Sequence, residues 1–211
     1  EWQTAALDLF GVESLHPWQL DWILRIAASS GGAMALRGAT GSGKSLVFQL
    51  PSIVRALQNG LLSVVISPLK ALMQEQVYKL HNRGFGGIAE ALTGDLQEIE
   101  VSDIYSRIAS GDVLLAYVAP ERFRSKRFQN ALATRIARDG RVQHWIFDEA
   151  HCISQWGHEF RPDYLNALQR ILEYRDLSRH ETAGAAPMLF VSATISQQAL
   201  NDLTKAGPNG H

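Results

Sequence analysis

The chain has 211 residues, room for one α/β domain or two small ones. With 46% hydrophobic and 19% charged residues it carries enough apolar side chain for a sizeable core, which excludes wholesale disorder. No apolar run reaches the roughly eighteen residues that cross a bilayer, and a net charge of −1 leaves any nucleic-acid affinity to local patches.

In chain order, Glu1–Phe10 and Pro17–Ser29 read as amphipathic helices, the second with Trp18, Trp22, Ile23 and Ile26 on one face. After a Ser29-Ser30-Gly31-Gly32 break, strands are expected at Ala33–Arg37, Leu62–Ser67, Ile88–Leu92, Val113–Val118, His144–Phe147 and Met188–Ser192. Helices are expected between and after them at Lys44–Gln58, Lys70–Arg83, Leu96–Ser110, Glu121–Asp139, Asp163–Leu177 and Ser196–Lys205. Arg179–Pro187 reads as a surface loop. Strand–helix alternation with short, buried, β-branched strands predicts a parallel sheet covered on both faces. Such sheets bind ligands at the carboxyl ends of their strands. The lone Cys152 excludes an internal disulfide and fits a reducing, cytoplasmic setting. The chain starts without Met and stops at Gly207-Pro208-Asn209-Gly210-His211, which reads as a piece of a longer protein.

Gly38-Ala39-Thr40-Gly41-Ser42-Gly43-Lys44-Ser45 fits G-x-x-x-x-G-K-[ST] between an expected strand and an expected helix. Glycines allow a tight turn that aims successive N–H groups at phosphate oxygens, and the helix adds the positive end of its dipole. Lys44 is expected on the β- and γ-phosphates of ATP and the Ser45 hydroxyl on Mg²⁺. By chance this pattern should occur in on the order of one in a hundred chains this long. Trp145-Ile146-Phe147-Asp148-Glu149-Ala150-His151 is an apolar strand ending in two carboxylates. Asp148 is therefore the candidate Mg²⁺ residue and Glu149 the candidate general base for an attacking water.

Asp148-Glu149-Ala150-His151 resembles the DEAH box of superfamily 2 helicases, and its continuation from Cys152 to Tyr164, with Trp156, His158, Phe160 and Arg161, is similar to the aromatic-rich loop of RecQ-like DNA helicases. Ser67-Pro68-Leu69-Lys70-Ala71-Leu72-Met73-Gln74-Glu75-Gln76, Tyr117-Val118-Ala119-Pro120-Glu121-Arg122 and Ser192-Ala193-Thr194 resemble further helicase motifs in the same order. The resemblance covers nearly the whole chain. It implies an α/β RecA-like P-loop NTPase fold in a single lobe over residues 1–211, with residues 1–30 a helical region carrying the adenine-reading motif. In that motif Gln19 matches the family glutamine, while Val12 and His16 stand where the family has an aromatic and an arginine. Together with the Ser-Ala-Thr motif, these departures mark a divergent member. His151 belongs with the nucleotide site on this reading. The implied activity is ATP-dependent unwinding of DNA, with arginine fingers supplied by a second lobe. The alternatives are an ATP-gated DNA-binding or remodelling module without helicase activity, and an RNA-directed DEAH-box ATPase.

Read without the family, Trp156, Phe160 and Tyr164 interleaved with His158 and Arg161 suit stacking on unpaired bases and pairing with phosphate. Ser67, Lys70, Thr93 and Arg122, at strand ends, are candidates for the backbone of single-stranded DNA or of a duplex/single-strand junction. Ser192 and Thr194 are expected to link nucleotide state to lobe closure. Arg124, Lys126 and Arg127 are better explained as a solvated helix face. His151, Cys152 and His158 fit no usual zinc spacing, and Cys152 reads as a buried structural thiol.

Overall fold

A computed structural model describes residues 1–153, 161–178 and 186–194. Six parallel strands form one sheet: β1 (Ala33–Arg37), β2 (Ser63–Ile66), β3 (Ala89–Leu92), β4 (Leu115–Val118), β5 (His144–Asp148) and β6 (Met188–Ser192), in spatial order β1-β6-β5-β2-β4-β3. The helices are α1 (Trp2–Phe10), α2 (Pro17–Ala28), α3 (Lys44–Asn59), α4 (Lys70–Leu80), α5 (Glu98–Ser110), α6 (Lys126–Asp139) and α7 (Pro162–Ser178).

Alternation along each strand sorts side chains into two cores. Val64, Val118, Trp145 and Phe147 meet Tyr105, Phe128, Leu132 and Ile171 of α5, α6 and α7. Val65, Leu115, Tyr117 and Ile146 meet Phe10, Ile23, Phe48 and Val77 of α1 to α4. Successive residues point to opposite faces, so strands buried on both sides must be apolar throughout. The side chains of β2, β4, β5 and β6 are all buried. Phe147 stacks on Phe190 of the neighbouring strand at 5.0 Å between centroids. The expected layered α/β architecture is the one observed.

Two expected helices are shorter than their periodicity suggests. Glu121–Asp139 is not continuous: a 3-10 turn spans Pro120–Arg124, and Ser125, with φ −73° and ψ 120°, restarts the chain as α6. Its hydroxyl accepts a hydrogen bond from the Phe128 N–H, capping the new helix. Lys70–Arg83 stops at Leu80 and gives way to a wide turn in which Gly84 takes φ 88°. Such a positive φ favours glycine and ends the helical path. The expected helix Ser196–Lys205 and most of the loop Arg179–Pro187 lie outside the described residues.

At the amino-terminal rim of the sheet the side chain of Arg135 is almost fully buried. Its guanidinium donates to the carbonyls of Ile108, Val113 and Gly60 and pairs with Asp139. One side chain therefore satisfies three carbonyls, two in loops and one in the last turn of α5, that burial would otherwise leave unpaired. Cys152 is buried, as expected of a structural thiol.

Candidate nucleotide and nucleic-acid site

All six strands run the same way, so their carboxyl ends form one rim. Following the strand order, that rim carries the phosphate loop after β1, Ser192 on β6, Asp148 on β5, Ser67 after β2, Arg122 after β4 and Thr93 after β3.

The phosphate loop connects β1 to α3. Gly41 and Gly43 take φ 77° and 83°, the left-handed region that turns the loop back over the helix start. Lys44 Nζ donates to the carbonyls of Gly38 and Ala39 at 2.6 and 2.7 Å, so the ammonium lies inside the curl of the loop. The Gly38 N–H donates to the Ser192 carbonyl at 3.2 Å, tying the loop to β6. Ser45 follows Lys44 in the first turn of α3.

Gln19 is buried between α2 and this loop. Its Oε1 accepts from the His16 N–H at 2.9 Å, and its Nε2 lies 3.4 Å from the Gly43 carbonyl. A Cβ at Gly43 would come within 2.6 Å of that nitrogen. Beside Gln19 opens a cavity of about 400 Å³ walled by Val12, His16, Gly41, Ser45 and Arg83. That volume lies within the roughly 300–1,000 Å³ of small-molecule sites. Arg83 stands over the Phe10 ring at 5.8 Å and donates to the Phe10 carbonyl. Nothing in the motifs singles out Arg83; the wide turn after α4 brings it here.

Asp148 sits at the tip of β5, nearly buried, and its Oδ1 accepts from the Glu149 N–H at 3.1 Å. Burial first, then the adjacent Glu149 charge, raise its pKa from 3.8 to about 6. Such an anion, held out of water, suits a hard cation, and Ser45 supplies a hydroxyl from the first turn of α3 on the same rim. The donor set therefore fits Mg²⁺. Glu149 has φ 51°, which turns the chain sharply after Asp148. A non-glycine residue in that region signals local strain, which clusters at functional sites. Glu149 Oε2 lies 3.2 Å from His151 Nδ1, and the same nitrogen lies 2.9 Å from Ser192 Oγ. Ser192 Oγ also accepts from the Thr194 N–H at 3.2 Å. Glu149, His151, Ser192 and Thr194 thus form one connected group.

On the other half of the rim, Lys70 Nζ and Asp95 Oδ2 are 2.6 Å apart, the Thr93 hydroxyl donates to Asp95, and the Arg122 guanidinium donates to the Thr93 carbonyl. Lys70 and Thr93 hold Asp95 down to a pKa of about 2. Asp95 organises this cluster. The sequence Thr93-Gly94-Asp95 contains it, but an acid amid expected phosphate contacts gives no signal of its own. Arg161 Nη1 donates to the Pro68 carbonyl at 3.2 Å, which places Arg161 at the same end of the rim.

Three sequence-based expectations change. Ser67 and Thr93 are buried, so neither hydroxyl is presented at the surface as a backbone contact. Ser67 closes the strand through its N–H on the Val118 carbonyl, and Thr93 buttresses Asp95. Tyr164, grouped by sequence with the stacking aromatics, is buried; its hydroxyl donates towards the Ile66 and Asp148 carbonyls and pins the tips of β2 and β5 together. Core packing explains it. Arg124 pairs with Asp163 and Arg127 with Glu98, as a solvated helix face would. Trp156, His158 and Phe160 lie outside the described residues. No group of acidic, histidine and cysteine side chains suited to a metal on its own occurs among the described residues. No helix among them is long and apolar enough to cross a membrane.

The chain is similar to the RecQ-like DNA helicase blm-1 of Caenorhabditis elegans, at 41% identity over 77% of this chain and 15% of that protein. The ATP-dependent helicase SGS1 of Saccharomyces cerevisiae matches at 31% identity over 93% of this chain and 13% of its own length. The ATP-dependent DNA helicase Q-like 2 of Arabidopsis thaliana matches at 34% over 96% and 27%. The chain thus spans between about an eighth and a quarter of these relatives. Among solved structures, MrfA bound to DNA and AMPPNP superposes with a TM-score of 0.71 at 18% identity, covering 97% of this chain and 28% of that one. Mss116p bound to single-stranded RNA and AMP-PNP superposes with a TM-score of 0.70 at 18% identity, covering 95% and 39%. These two establish the RecA-like fold alone. The sequence pattern of DEAD/DEAH box helicases matches residues 16–203, nearly the full length: the chain belongs to the DEAD/DEAH box helicase family and, within it, is RecQ-like.

Proposed function

We propose that this chain is the ATP-binding first lobe of a RecQ-like DNA helicase, which couples Mg-ATP hydrolysis to movement along single-stranded DNA and to unwinding. The observation that carries the reading is the division of one rim. The phosphate loop, Ser192 and Asp148 occupy adjacent strand ends, and Lys70, Arg122 and Arg161 lie at or beside the next ones.

The backbone N–H groups of residues 38–45 and the Lys44 ammonium hold the ATP phosphates, because both present positive charge inside the loop. Ser45 and Asp148 would hold Mg²⁺, which would supply positive charge to the phosphates. Glu149 takes a proton from the attacking water on a carboxylate oxygen, with His151 fixing that carboxylate through Nδ1. Ser192 and Thr194 join the same group to β6, a route by which nucleotide state reaches a second lobe carrying arginine fingers. Gln19 and the adjoining cavity receive the adenine. Lys70 and Arg161 track the phosphodiester backbone, and Arg122 braces Thr93, which holds the Asp95 that pairs with Lys70. Trp156, His158 and Phe160 sense unpaired bases. The setting is intracellular, with DNA.

The test is ATP turnover by the full-length protein with single-stranded DNA, single-stranded RNA or neither. DNA-specific stimulation that disappears in Trp156→Ala and Phe160→Ala, with basal turnover retained, is expected. Equal stimulation by RNA would favour an RNA-directed ATPase. DNA binding gated by ATP without unwinding would favour a remodelling module.

A further inference from the structure

The two halves of the rim are also joined beneath it. Gln49 lies on α3, five residues beyond Lys44, and is almost fully buried. Its Nε2 donates to Gln76 Oε1 on α4 at 2.9 Å and to the Tyr117 hydroxyl on β4 at 2.6 Å. One amide nitrogen thus spends both hydrogens on two other elements. Tyr117 is buried too, and that burial pushes its phenol well above its usual range, so the network stays neutral.

These connections matter because of what α4 carries. Its first residue, Lys70, belongs to the cluster with Asp95 and Thr93. Gln76, further along, faces the 400 Å³ cavity beside Gln19, and Arg83 just past the helix end walls it. An 11-residue helix is about 16 Å long and moves as one piece. Any displacement of α4 by nucleic acid at Lys70 therefore reaches the cavity, provided α4 is tied to the phosphate-loop helix. Gln49–Gln76 is the side-chain hydrogen bond between α3 and α4 that makes this tie.

We propose that Gln76, held by Gln49, which Tyr117 anchors in turn, is a positioning residue that couples occupancy of the nucleotide site to the grip on single-stranded DNA. The inference rests on the function proposed above. Gln49 and Gln76 act in it through the positions of α3 and α4, not on the reacting atoms.

The experiment measures the affinity of the full-length protein for a fluorescent, non-hydrolysable ATP analogue, with and without saturating oligo-dT. The ratio of the two dissociation constants is the coupling factor, and by linkage it applies equally to DNA affinity. Tyr117→Phe removes one oxygen while keeping the ring, and should leave basal ATP turnover unchanged. Tyr117→Phe and Gln76→Leu should each reduce the coupling factor about three- to tenfold, the effect of one lost hydrogen bond. Gln76→Glu keeps an acceptor for the Gln49 N–H and should stay within about twofold of the parent. A melting curve checks that each variant folds; Gln76 is only half-buried, so that pair of variants does not depend on the core. Parent-like coupling in both Tyr117→Phe and Gln76→Leu would overturn this inference alone. Equal loss in Gln76→Glu and Gln76→Leu would also overturn it. A parent protein without any coupling would overturn the functional reading, and the inference with it.

Discussion

Replacing Asp148 by Asn should make the 211-residue chain more stable while disabling it. In the fold its carboxyl pKa rises from 3.8 to about 6, because burial and the Glu149 charge both disfavour the anion. Between those values the folded protein holds a proton that the unfolded chain has released. The cost of ionising Asp148 is thus absent below pH 3.8 and complete above about pH 6. At 1.36 kcal/mol per pH unit, that interval makes the ionised side chain cost the fold about 3 kcal/mol at pH 7. Asn has no charge to desolvate and keeps an oxygen for the Glu149 N–H. Its advantage at pH 7 should approach 3 kcal/mol, or roughly 6–12 °C in melting temperature for a domain of this size. The comparison is thermal unfolding of both proteins at pH 7 and near pH 4, without magnesium. The gain should shrink steeply at the lower pH, and magnesium-dependent nucleotide binding should be lost. An Asn variant no more stable than the parent at pH 7, or one whose advantage is the same near pH 4, would refute the argument.

Other outcomes follow from the same geometry. Lys44→Ala removes the cation from the curl of the phosphate loop and should weaken ATP binding at least tenfold, about 1.4 kcal/mol, as read by calorimetry. Glu149→Gly relieves the φ 51° strain and should leave stability level or raised by about 1 kcal/mol in denaturant unfolding, while abolishing turnover. Gly43→Ala combines a φ of 83° with a contact 2.6 Å from Gln19 Nε2; it should cost about 1–3 kcal/mol, only partly recovered by adding Gln19→Ala. His144 sits buried against Ser52 and Ser63, and burial lowers its pKa from 6.5 to about 4. The folded state therefore resists protonation, and stability tied to His144 should fall by about 2 kcal/mol from pH 7 to pH 5. Urea midpoints that fall equally in His144→Gln would contradict this.

Much of this was legible from residue order, for reasons that differ by element. Buried parallel strands announce themselves because both faces need apolar side chains; each expected strand is found, with bounds shifted by no more than two residues. The phosphate loop and the Asp148 strand tip are legible because their chemistry demands particular residues at fixed spacing. The break at Ser125 was hidden: the apolar spacing of Glu121–Asp139 continues through it, and only the cap hydrogen bond reveals a new start. Tyr164 misled because an aromatic near charged residues reads the same whether it stacks on a base or plugs a sheet. Gln76 stands in a legible motif, but its pairing with Gln49, like those of Arg83 with Phe10 and Asp95 with Lys70, joins residues remote in the chain, which no local pattern encodes.

The buried guanidinium of Arg135 gives the lobe two unequal rims. At the amino-terminal rim, the α3–β2 connection through Gly60 and the α5–β4 connection through Ile108 and Val113 converge on one side chain, so a change there disturbs both at once. At the rim that carries the phosphate loop and the Lys70 cluster, the contacts among the described residues are spread over several side chains, Lys44, Asp95, His151 and Tyr164 among them, and not gathered on one. Damage to the lower rim should therefore appear as loss of soluble protein, whereas damage to the upper rim should yield well-folded proteins with altered catalysis. A mutational screen scored separately for abundance and for turnover would divide along the sheet, one outcome at each end of the same six strands.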